Sequence, residues 1–67
     1  MIKQFTFVKT KNDKTFITPK RFVKGGSYGY VVDILTGSSK TLYLVELDDG
    51  IFEYSEAELE VVESSNK

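Results

Sequence analysis

Apolar and polar residues alternate along this chain in short runs, each closed by a turn-forming cluster, and that period of two predicts strands. Residues 2–10 alternate loosely and are rich in Phe, Thr and Val. They predict a first strand with Phe5 and Phe7 on one face and Lys9 continuing it towards solvent. Lys11-Asn12-Asp13-Lys14 is a turn, because Asn and Asp tolerate left-handed backbone and bond their own chain. Residues 15–18 form a short strand that Pro19 ends, since proline gives no donor to a ladder. Residues 20–24 lead into Gly25-Gly26. Residues 28–35 are the strongest strand, and Gly29 within it predicts a bulge or tight bend. After the loop 37–40, residues 41–47 form the next strand. Asp48-Asp49-Gly50 is a hairpin turn by composition, and residues 51–54 return from it. Ser55 with Glu58 three positions later fits a capping box and predicts one short helical or 3₁₀ turn. Leu59 and Val61 then mark a final short strand. Residues 64–67 are a polar tail expected to be mobile.

Short strands and no real helix predict an all-β fold. At 67 residues there is room for one domain, 1–67, and the small barrel is the architecture that fits. The expected form is a five-stranded, strongly bent antiparallel barrel with an extra N-terminal strand, 2–10. The barrel core would span about 16–63, with one short 3₁₀ or helical turn near the C-terminus. A chain this short buries only about 60% of its unfolded surface. Nine aromatic residues supply the bulk that makes a folded domain feasible.

Composition narrows the chemistry. There is no Cys and no His, so disulfides, thiolate metal sites and the commonest general base are absent. Gly25-Gly26-Ser27-Tyr28-Gly29 matches the Gly-x-Ser-x-Gly nucleophile elbow by letter. That elbow needs a following helix and a histidine, and here a strand follows. The same glycines beside Lys24 are a weak candidate for cradling a phosphate on backbone amides. Asp48-Asp49 with Glu46 lacks the spacing of a calcium loop. No catalytic, metal or cofactor-binding set is therefore assigned, and the protein is expected not to be an enzyme. No apolar run is long enough for a signal peptide or a membrane span, so the expectation is a cytoplasmic protein. Scarce proline and a Lys, Phe and Ile bias suggest a bacterial or phage source.

The net charge of −1 hides a division. Residues 1–26 hold seven cations against one acid, a balance of +6, whereas residues 27–67 hold two cations against nine acids, a balance of −7. Mutual neutralisation between neighbouring strands accounts for such a split. A basic patch for nucleic acid, built from Lys9, Lys11, Lys14, Lys20, Arg21 and Lys24, is the sharper alternative. The acidic run through Glu53, Glu56, Glu58, Glu60 and Glu63 reads as a solvated face or as an acidic docking surface.

The order Gly26, Gly29, Val31, Ile34, then Tyr43, Val45, Leu47, then Asp49-Gly50, then Glu58 to Val61 resembles Src-homology-3-like small barrels. The nearest in style are the KOW and Tudor-like types and related bacterial domains. The resemblance implies a barrel over about residues 16–63, and it says little of function, because many unrelated proteins share that form. This chain departs from the proline-peptide readers in having no Trp, and from KOW domains in its acidic loop after Leu47. The leading expectation is a non-catalytic protein–protein interaction module, a small regulator or inhibitor of a larger machine. Its contact residues would come from Tyr28, Tyr30, Tyr43, Phe52, Tyr54, Glu53 and Glu56. The alternative is a nucleic-acid-binding barrel using the basic N-terminal half.

Overall fold

A computed structural model describes residues 2–17, 20–37 and 39–62. Pro19, Glu63 and the tail expected at 64–67 lie outside them. Among the described residues seven strands follow one another: β1 (Phe7–Thr10), β2 (Lys14–Ile17), β3 (Lys20–Val23), β4 (Tyr28–Thr36), β5 (Thr41–Leu47), β6 (Gly50–Ser55) and β7 (Leu59–Val61). A 3₁₀ turn, Glu56–Glu58, joins the last two. Five of the strands form one antiparallel sheet in the order β6-β5-β4-β1-β7, and β2 and β3 pair as a separate hairpin. The protein is all-β, with a five-stranded antiparallel sheet. Among the described residues no pairing joins β6 to β7, so the sheet is not closed into a barrel. No described helix is long and apolar enough to cross a membrane.

The N-terminal strand is not an addition to this sheet. β1 lies inside it, between β4 and β7. It is also shorter than its alternation suggests. Phe5 adopts φ 69, which turns the chain out of extended geometry, and its ring is 70% exposed. Phe5 and Phe7 therefore do not share a strand face. The segment ahead of β1 still bonds to β4: Phe5 N–H donates to Val31 O, and Val31 N–H donates to Thr6 O at 3.0 Å.

Residues 20–23 form a strand rather than a connection. Three of the four are exposed, so the stretch shows no apolar alternation, yet it pairs with β2 in full register from Lys14↔Val23 to Ile17↔Lys20. Asp48-Asp49 make the tight turn between β5 and β6, with Leu47 paired to Gly50 at its base. Gly50 takes φ 143, a conformation that other residues reach only with strain.

The irregularity in β4 falls at Val32, not at Gly29. Val31 pairs with Val45 and Asp33 with Leu44, which leaves Val32 as the extra residue. Its freed carbonyl is met by Gln4 Nε2 at 2.8 Å. Gly29 serves a different need, the close approach of β5. A Cβ there would sit 2.3 Å from Glu46 O and 2.6 Å from Leu47 Cδ2.

The core lies on the inner face of the sheet. Val8, Val31, Tyr43, Val45, Tyr54 and Leu59 are buried there, together with Ile2 and Val23. The hairpin covers one end. Phe16 tilts against Phe52 at 4.9 Å and meets Tyr54 edge-on at 5.6 Å. Lys14 lies over the rings of Phe16 and Tyr54 at 4.9 and 4.8 Å and donates to Glu58 at 3.0 Å.

Candidate interaction surface

The outer face of β1 and β4 carries an uncovered aromatic group. Alternation fixes this. Val8, Gly29 and Val31 turn inward, so their neighbours Phe7, Lys9, Tyr28 and Tyr30 turn outward. Register then brings them side by side, since Phe7 pairs with Tyr30 and Lys9 with Tyr28. Phe7 stacks on Tyr28 at 5.5 Å with planes 12° apart and tilts against Tyr30 at 4.9 Å. Tyr28 remains 53% and Tyr30 52% exposed despite these contacts. Lys9 Nζ stands 5.8 Å from the centre of the Tyr28 ring.

Charge borders the rings on both sides. Glu60 of β7 is the register partner of Lys9, and Glu46 of β5 is the register partner of Tyr30. Phe7, Tyr28, Tyr30, Glu46, Leu47 and Asp48 line a shallow depression of about 520 Å³. A second groove of about 490 Å³ continues from Tyr28, Leu47 and Asp48 to Phe22, Lys24 and Phe52, between the hairpin and the β5–β6 turn.

The tyrosines divide. Tyr28 and Tyr30 are surface residues, whereas Tyr43 and Tyr54 are buried and belong to the core. Tyr43 is held by polar contact, its hydroxyl accepting the Ile2 N–H at 3.3 Å. The Tyr54 hydroxyl is buried with no hydrogen-bond partner among the described residues, and burial, aided by the nearby Glu58 carboxylate, pushes its pKa up to about 12. Phe52 is half-buried against Phe16 and borders both the hairpin groove and a smaller one beside Arg21. Glu53 and Glu56 are exposed on β6 and on the 3₁₀ turn, and neither lines the depression beside the rings. Phe7 was missing from the sequence-based set. Its register with Tyr30 was the signal that could have found it, and that register depends on which strands pair.

The basic residues do not share one surface. Lys9 stands beside Tyr28. Lys14 is pinned between two rings and Glu58, and also donates to Glu53 O at 3.2 Å. Lys20 and Arg21 are adjacent in β3 and so project to opposite faces of the hairpin, Arg21 on the side that carries its register partner Phe16. Lys11 and Lys24 are exposed beyond the ends of β1 and β3.

The glycine turn also has a structural explanation. Gly25 N–H donates to Asp13 Oδ1, Gly26 N–H to Thr10 O and Ser27 N–H to Thr10 Oγ1, at 2.7, 2.7 and 3.0 Å. These amides are committed within the chain, so they offer no cradle to a phosphate. Ser27 Oγ in turn donates to Lys24 O at 2.7 Å.

Glu58 organises the other end. Burial raises its carboxyl, but hydrogen bonds from Ser55 and Lys14, with the Lys14 charge, outweigh this and hold it below its ordinary range. Comparison with protein-family models, with curated proteins and with solved structures finds no match to this chain.

Proposed function

We propose that this protein is a non-catalytic binding module that engages a protein partner through the outer face of β1 and β4. The observation that carries this is the group formed by Phe7, Tyr28 and Tyr30, in which the Phe7 ring contacts both tyrosine rings and the two tyrosines are about half exposed. Aromatic groups rimmed by charge are characteristic of the energetic centres of protein interfaces. Rings placed on strands lose little conformational freedom when a partner covers them. A curled sheet of the Src-homology-3-like kind suits this use. The long, bulged β4, which pairs with both β1 and β5, supports such curvature. The scatter of the basic side chains gives the nucleic-acid reading less support.

The test uses tagged wild-type protein and the variant Phe7→Ala/Tyr30→Ala in lysate of the producing cell. A protein retained by the wild type, insensitive to nuclease and released by the variant, is the expected result. The variant must keep the wild-type circular dichroism spectrum. Retention that nuclease abolishes, or that the double variant leaves unchanged, overturns the proposal.

A further inference from the structure

The rings of the proposed interface are bordered unevenly, and this points to the chemistry of what they bind. On the β7 side, Lys9 and Glu60 are register partners, so that edge carries a cation as well as an acid, although no ion pair joins them. On the β5 side, Glu46 has Tyr30 and Ile51 as its register neighbours, and Asp48 follows at the turn. Among the described residues no ion pair engages Glu46 or Asp48. The depression thus has an aromatic floor and a border that includes two carboxylates without an ion pair among the described residues. Lys9 gives an internal precedent: an ammonium group already stands 5.8 Å from the Tyr28 ring centre, while among the described residues no cation stands over Tyr30.

We infer that this depression receives an arginine or lysine side chain from a basic segment of the partner protein, with the cation over Tyr30 and between Glu46 and Asp48. The inference rests on the proposed function and adds the partner's chemistry to it. A cation over an aromatic face is attracted by the ring quadrupole, and carboxylates beside it add a direct charge contact. A nucleic acid would bring phosphates against the same two carboxylates and be repelled.

The probe is a synthetic peptide with two arginines among glycine and leucine, paired with a twin in which citrulline replaces both arginines. Citrulline keeps the shape and removes the charge. Titration into ¹⁵N-labelled protein should give saturable shifts at Tyr28, Tyr30, Glu46 and Asp48. The citrulline twin should bind about tenfold more weakly. The variant Glu46→Gln/Asp48→Asn should weaken the arginine peptide by a similar factor, with the twin unaffected. Equal binding of the two peptides at these residues overturns the cation preference while leaving the protein-binding reading in place. Shifts confined to Glu53 and Glu56, or no binding at millimolar peptide, also overturn it. So does a concentration-dependent dimer lost in Glu46→Gln, which would give the surface to a second copy of this chain.

Discussion

Two glycines show how differently single residues constrain this fold. Gly26 has φ 88 with open space around its missing side chain, so its requirement is conformational. Gly29 has no unusual φ, but β5 passes so close that a methyl group would overlap the Glu46 carbonyl and the Leu47 side chain. A backbone carbonyl in a sheet ladder cannot step aside as a side-chain tip can. Gly29→Ala is therefore expected to destabilise the protein by about 2–3 kcal/mol, as overpacking does. Gly26→Ala should lose only about 1 kcal/mol through backbone strain. Urea unfolding of both variants checks the order. Equal losses would mean that β5 can retreat from Gly29. The sequence pointed to Gly29 as the site of a bulge or tight bend, and the bulge lies at Val32 instead. A bulge and a close approach both call for glycine, and only the neighbouring strand distinguishes them.

At the level of elements, the β2–β3 hairpin is the part least tied to the sheet. It has its own ladder, separate from the five strands, and its anchorage runs through few side chains. Phe16 packs on Phe52 and Tyr54, Val23 is buried, and Lys14 reaches Glu58. Phe16→Ala should cost about 2–3 kcal/mol, at the low end for a phenylalanine because the ring is only partly buried. Amides of residues 14–17 and 20–23 should then exchange with solvent before those of β4 and β5. Uniform acceleration across all strands would show instead that hairpin and sheet unfold as one unit. The elements legible in advance were those with local signals: the alternation of β4 and β5, the Asp48-Asp49 turn, and the Ser55–Glu58 cap. β3 was not legible, since a strand with three exposed residues in four carries no apolar period. The place of β1 inside the sheet was not legible either, because pairing between distant strands leaves no local mark. The ring group of Phe7, Tyr28 and Tyr30 inherits that limit. Its tyrosines could be named from the sequence, but their separation from Tyr43 and Tyr54 depends on which face of each strand turns inward.

Across the whole molecule, two titrating groups within one contact network bound the pH range of stability. Glu58 has a carboxyl held below its ordinary value in the folded state. The unfolded chain therefore takes up its proton first, and the contribution present above pH 4.5 is lost as pH falls through the folded value. Because Glu58 is partly exposed, solvent screens the effect, and Glu58→Gln should reduce stability at neutral pH by about 0.5–1 kcal/mol. That difference should shrink below pH 4.5. Tyr54 bounds the alkaline side. Its pKa is pushed up to about 12 in the folded state against an ordinary value of 10, so its contribution to stability is full below pH 10 and is lost as pH rises from there through 12. Tyr54→Phe removes this decline, and it also removes a buried hydroxyl that has no partner among the described residues. The variant should be as stable as the wild type at neutral pH, or more stable by about 1 kcal/mol, with its advantage widening in alkali. Urea midpoints of wild type and both variants from pH 3 to pH 11 read all of this. A Tyr54→Phe variant less stable than wild type at every pH would show that the hydroxyl makes a bond to water and that the packing of Lys14 between these rings depends on it.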